Sequence, residues 1–110
     1  MKSDAFISGG GDWQTVGPGV TRKILGYDSE LMLVCAKFES GAIGTLHHHP
    51  HRQVTYVASG RFEVEIDGRK QTLETGDSFF VAPDLVHGAV ALEAGMLVDV
   101  FAPAREDFLK

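Results

Sequence analysis

Apolar and polar positions alternate along this chain in short runs. Phe62-Glu63-Val64-Glu65-Ile66 alternates strictly, apolar against acidic, the period-2 signature of a strand with one wet face. Asp67-Gly68 follows, a pair that favours a type I′ hairpin turn, and residues 70–73 read as the returning strand. Further strands are expected at 20–25, 31–38, 53–58, 78–82, 87–92 and 96–101, with 53–58 a run of Val, Thr and Tyr that suits a pleated, half-buried surface. Gly41 and Gly44 lead into Leu46-His47-His48-His49-Pro50-His51. Only the tail, Pro103-Ala104-Arg105-Glu106-Asp107-Phe108-Leu109, reads as helical; it opens on proline and carries two acids early. About eight to ten short strands with turns at regular spacing predict an all-β sandwich or barrel. A parallel α/β fold is excluded, because nothing here supplies crossover helices.

Composition sharpens this picture. The 110 residues include 13 glycines, which fits many turns, and a chain of this length supports one core and no second domain. The expected division is an N-terminal arm at 1–18, a barrel at 19–102 and a tail at 103–110. Gly9-Gly10-Gly11 interrupts the arm, and Trp13 is expected to anchor it by packing. The formal net charge of -5 excludes a nucleic-acid binder, since no basic excess exists to neutralise phosphates. No apolar run reaches the roughly 20 residues of a membrane span, and the N-terminus lacks the apolar core of a signal peptide, so the expected compartment is the cytoplasm. The single cysteine, Cys35, lies in an apolar run and reads as a small buried hydrophobe.

Candidate chemistry concentrates in the histidines. Four of the five fall at His47, His48, His49 and His51, and the fifth is His87. Residues two apart on a strand face the same side, so His47 and His49 can direct both imidazoles at one point while His48 faces away. If the chain turns at Pro50, Gln53 begins the next strand and can approach that point across a hairpin, while His87 arrives from a distant strand. Three imidazoles and one oxygen donor form a ligand set for a divalent transition metal, suiting Ni, Zn, Mn, Fe or Co alike. His48, His51 and Arg52 read as rim or solvent residues. On the last strand Asp99 interrupts an apolar run, with Leu97 and Phe101 on its face. It faces either solvent or the interior, and in the interior burial would raise its pKa into the range of a general acid or base. Arg105 is placed to pair with Asp99 or to bind a substrate carboxylate.

Gly41 followed by His47-His48-His49, Gln53 and Gly60 resembles the first motif of the cupins. Gly76-Asp77-Ser78-Phe79-Phe80-Val81-Ala82-Pro83, ending at His87-Gly88, resembles the second. The resemblance implies a small single-domain jelly-roll barrel (a double-stranded β-helix). Most cupins place glutamate where this chain has Gln53; the neutral amide leaves a divalent site more positive and a better anchor for an anion. Met32-Leu33-Val34, His87-Gly88-Ala89-Val90-Ala91-Leu92-Glu93 and the closing run from Asp99 to Leu109 are similar to one branch, the small cupins of the pectin-degradation or KdgF type. That likeness implies an enzyme that converts 4,5-unsaturated monouronates, released from pectin and alginate, into linear 5-keto-4-deoxyuronate. It implies metal ligands at His47, His49, Gln53 and His87, and a substrate pocket lined by Asp99, Phe101 and Arg105. The partner is then a small anionic sugar and the expected assembly a homodimer. Two other readings of the same motifs are a cupin dioxygenase and a non-catalytic sugar-binding or sensor cupin; turnover of an unsaturated uronate separates them.

Overall fold

A computed structural model describes residues 2–9 and 11–109. Met1, Gly10 and Lys110, which belong to the expected arm and tail, lie outside the described residues. Eight antiparallel strands run in chain order: β1 (Gln14–Gly17), β2 (Val20–Tyr27), β3 (Met32–Phe38), β4 (Ile43–His47), β5 (Arg52–Ile66), β6 (Arg69–Glu74), β7 (Ser78–Val81) and β8 (His87–Ala102), with a 3-10 turn at Glu106–Leu109. The fold class is the one expected, an all-β barrel ending in a short helical turn.

Two of the expected strand pairs are single long strands. Residues 53–58 and 62–66 fuse into β5, and 87–92 and 96–101 fuse into β8. These two strands pair along nearly their whole length and shift register around Ser59 and Arg61. One half of β8 also pairs with β3, the other half with β4; β5 likewise divides its free edge between β7 and β6. Two sheets therefore share β5 and β8, and each long strand bends from one sheet into the other. The bend is possible because two glycines meet there. Gly60 has φ +84, and a Cβ on it would lie 2.6 Å from Ala94 O; a Cβ on Gly95 would overlap Ser59 O. No other residue type fits so close a crossing.

Period-2 alternation decides what fills the barrel. Met32, Val34, Ala36 and Phe38 face inward from β3, while Leu33 and Lys37 are exposed. Phe62 and Val64 are buried and meet Phe38, whose ring makes an edge-to-face contact with Phe62 at 5.2 Å between centroids. A second cluster of Met32, Val34, Phe101 and Ala104, flanked by Phe108, closes the other end. The Asp67-Gly68 turn has φ of 51 and 79, the paired positive values of a type I′ hairpin. On its wet face Lys70 lies 3.9 Å from Glu63. Cys35 is buried and free, as its apolar surroundings suggested, and burial pushes its thiol pKa up.

The N-terminal segment packs on its own barrel. Ser3 exchanges hydrogen bonds with the backbone of Tyr27, and Lys37 Nζ sits 4.1 Å from the centroid of Trp13. Residues 14–17, read from the sequence as part of the N-terminal arm, form β1 on the edge of β2. The run Gln14-Thr15-Val16-Gly17 shows no alternation because three of its four positions are exposed.

Candidate active site

His47 and His87 are direct cross-strand partners at the adjoining ends of β4 and β8. His49 lies just beyond the end of β4, outside any ladder, yet its ring centroid is 5.6 Å from that of His47 and 4.8 Å from that of His87. Ligand nitrogens of all three lie within 4.8 Å of one another. Gln53 joins them from the start of β5, buried, with Oε1 3.1 Å from both His49 Nε2 and His87 Nε2. The hairpin route expected for Gln53 is not the one taken. β4 pairs with β8, and Gln53 is carried on a strand laddered to Val81 and Phe101. His48 is exposed, and His51 is half-buried beside His49.

The hydrogen bonds determine which way each ring presents its lone pair. His47 Nδ1 meets Thr45 O at 2.8 Å, His49 Nδ1 meets His51 O at 3.1 Å, and His87 Nδ1 meets Leu85 O at 2.9 Å. A carbonyl only accepts, so each Nδ1 carries the proton and donates it. That tautomer leaves Nε2 of His49 and of His87 free to present a lone pair towards Gln53 Oε1 and the common point. Burial and the nearby positive charge of Arg105 hold His49 down at about 4, and burial lowers His87 as well, so both rings are neutral near pH 7. The amide of Gln53 is oriented too: Nε2 donates to Thr55 Oγ1 at 2.9 Å, which leaves Oε1 facing the imidazoles. The centre therefore presses the Nε2 acceptors of His49 and His87 against the acceptor Oε1 of Gln53. Such a set is repulsive by itself and matches a divalent transition cation.

The next layer inward is a proton-holding group. Thr55 and Asp99 are register partners, as are Gln53 and Phe101, so β5 and β8 set these four side chains beside one another on the inner face. This resolves the orientation of Asp99: it faces the interior. Thr55, fully buried, donates to Asp99 Oδ1 at 2.6 Å, and Gln53 Nε2 approaches the same oxygen at 3.4 Å. Burial raises Asp99 to about 6, against the opposing pull of these two hydrogen bonds and of Arg105. The carboxyl thus exchanges its proton close to neutrality.

Arg105 is buried, but it does not pair with Asp99. Its Nε and Nη2 donate to Oδ1 and Oδ2 of Asp107 at 3.0 and 2.8 Å, a bidentate fork made within the C-terminal turn, and this pairing holds Asp107 below the usual carboxylate range. Asp99 already has Thr55 and Gln53 as donors. The Arg105 guanidinium carbon lies 5.1 Å from the centroid of Phe101 and 4.2 Å from that of Phe108. A cavity of about 570 Å³ connects these groups, lined among others by His47, Gln53, His87, Asp99, Phe101 and Arg105. Thr55, Asp107, Phe108 and Arg22 are site residues that the motif reading missed. For Arg22 a signal existed: Val20, Arg22 and Ile24 alternate onto one face, setting a guanidinium between two apolar inward positions.

The sequence profile of the Cupin domain family matches residues 34–101. The chain is 47% identical over 106 residues to the pectin degradation protein KdgF of Dickeya dadantii, covering 94% of this chain and 96% of that one. The chain is a cupin of the KdgF family. Among solved cupins, the KdgF of a Halomonas species superimposes with a TM-score of 0.91 at 45% identity, covering 96% of this chain and 99% of that one. A cupin described as RmlC-like, from Shewanella frigidimarina, reaches a TM-score of 0.94 at 46% identity over 97% of each chain. Both coverages extend past the cupin profile to the tail, so this cupin shares with its relatives the segment that carries Arg105.

Proposed function

We propose that this cupin acts in pectin and alginate breakdown, converting cyclic 4,5-unsaturated monouronates into linear 5-keto-4-deoxyuronate, and that His47, His49, Gln53 and His87 hold the metal. The observation that carries this reading is the placement of Asp99, a carboxyl exchanging its proton near pH 6, in the wall of a cavity that also presents a buried guanidinium. A 47% identical relative named for pectin degradation supports the substrate class. A divalent cation among the four ligands supplies positive charge beside which an oxygen bearing developing negative charge is stabilised.

The reaction is an isomerisation, so its atoms balance within the substrate. Asp99 as carboxylate accepts the proton of the anomeric hydroxyl at C1. The C1 carbonyl forms, the bond from C1 to the ring oxygen breaks, and the electron pair passes to that oxygen as the enolate of C5. Asp99, now protonated, returns the proton to C4 and the C5 enolate becomes the ketone. Arg105 clamps the uronate carboxylate, and Phe101 packs against the sugar and excludes water. The same reading takes the protein as a homodimer. The continuous apolar strip of Leu33, Val100, Val54 and Phe80 across the outer sheet, with Val54 and Phe80 about half exposed, supports it; sedimentation at a monomer mass of 11.9 kDa would refute it.

The test is turnover of unsaturated galacturonate by metal-supplied protein, followed by loss of the ultraviolet absorbance of the C4=C5 bond conjugated to the carboxylate. The expected result is rapid loss that Asp99→Asn abolishes while metal content is kept. Loss no faster than in buffer overturns the proposal.

A further inference from the structure

Arg22 is the guanidinium in the cavity that the reaction above leaves without a task. It stands on the inner face of β2, opposite Ala36 of β3 and between Val20 and Ile24. Its guanidinium carbon lies 3.6 Å from the centroid of Phe108, the ring that also receives the Arg105 guanidinium at 4.2 Å. Two guanidinium groups thus press on one aromatic ring, and the carboxylate that pairs with either of them is Asp107. Asp107 gives its fork to Arg105. Arg22 Nε is buried and meets no hydrogen-bond partner. Burial, and then repulsion from Arg105, lower the proton affinity of Arg22.

Such an arrangement is costly in the free protein, because a buried N–H without an acceptor and a second cation beside it both oppose folding. A planar anion entering the cavity supplies acceptors and the missing negative charge together. Asp107 shows the geometry Arg105 accepts, a bidentate carboxylate, but it sits on a turn of four residues with its side chain 57% exposed. A ligand carboxylate arriving from the cavity therefore competes with a partner held from the solvent side.

We propose that Arg22 is a second substrate-contacting cation, binding the uronate carboxylate jointly with Arg105 across the Phe108 ring, with Asp107 holding that place when no ligand is bound. The proposal rests on the uronate reading for its substrate class, and deepens it by naming what discriminates an acidic sugar from a neutral one. A purely structural Arg22 would be part of the stability of the fold; a ligand-directed Arg22 is a strain on it.

The experiment compares wild-type protein with Arg22→Gln and Arg22→Lys, using galacturonate, which lacks the reacting C4=C5 bond, and its methyl ester, which lacks the charge. Binding is read by titration calorimetry and stability by thermal melting. Expected are galacturonate binding to wild type that weakens about tenfold or more in Arg22→Gln, partial recovery in Arg22→Lys, methyl-ester binding that responds to neither, and a ligand-free melting temperature no lower in Arg22→Gln than in wild type. On the unsaturated substrate, KM rises in Arg22→Gln by more than kcat falls. Galacturonate affinity within twofold of wild type in both variants overturns the proposal, as does a wild type that does not bind galacturonate or an Arg22→Gln protein that melts well below it. Wild type that binds galacturonate without converting the unsaturated sugar refutes the reaction and leaves this clamp standing.

Discussion

Thr55→Val tests the hydrogen-bonded chain that joins Gln53, one of the proposed metal ligands, to Asp99. The substitution keeps the shape of a fully buried side chain and removes one hydroxyl. That hydroxyl does two things: it donates to Asp99 Oδ1 at 2.6 Å and accepts the Gln53 amide at 2.9 Å. A hydrogen bond to an ionised carboxylate contributes about 1.5–3 kcal/mol, and an amide N–H left unsatisfied costs a further 1–3 kcal/mol. The Gln53 amide keeps its 3.4 Å approach to Asp99, which reduces the second loss, and the new methyl recovers about 0.8 kcal/mol. The net expectation is a loss of about 2–4 kcal/mol above pH 7, read by urea denaturation at fixed metal loading. The loss has a sign with pH. The hydroxyl favours the charged form of Asp99, so its removal is felt most where Asp99 is ionised, and the difference shrinks as pH falls through about 6. For the same reason the acid limb of turnover moves to higher pH in Thr55→Val. A change under about 0.5 kcal/mol, typical of a neutral surface substitution, with an unmoved acid limb would refute the reasoning.

Asp99→Asn carries the companion pH dependence in chelator-treated protein. The carboxyl is raised from 3.8 to about 6 on folding, so its ionisation opposes folding, and wild type should lose stability relative to Asp99→Asn as pH rises through that window, by about 3 kcal/mol at most; parallel stability profiles would sink this. Gln53→Glu adds an anionic ligand and places a carboxylate against Asp99. It is expected to tighten divalent-metal binding about tenfold or more in a competition assay while raising KM for an anionic substrate, and metal affinity equal to wild type would contradict the ligand assignment. Gly95→Ala forces a Cβ into Ser59 O at the crossing of β5 and β8 and should cost about 3 kcal/mol or more. Gly41→Ala, which meets open space at φ +82, should lose only about 1–2 kcal/mol by urea denaturation, and equal losses at the two sites would refute the crossing argument.

What alternation could and could not reveal follows from where each structural decision is made. The Asp67-Gly68 turn and the inward faces of β3 and β5 are local matters, and a period of two was enough to place them. The fusion of 53–58 with 62–66, and of 87–92 with 96–101, depends on Gly60 meeting Gly95 across the barrel, a contact between residues far apart in the chain, and read alone each glycine looks like a strand end. Arg105 turned to Asp107 for a similar reason, since the conformation of a four-residue turn decides that contact and no periodicity encodes it. The site itself follows a more general rule. On β2, β5 and β8 the inward positions should all be apolar, and besides His87 those that are not are Arg22, Gln53, Thr55 and Asp99. All four lie at one cavity or hydrogen-bond to a residue that does. Burying such groups costs stability wherever they occur, so their concentration around a single volume is best understood as the requirement of a ligand. The histidine spacing and the interrupted apolar run of the last strand had singled out two of these, Gln53 and Asp99. The inward arginine on β2 obeys the same rule and was as visible in Val20, Arg22 and Ile24 as Asp99 was in Leu97, Asp99 and Phe101.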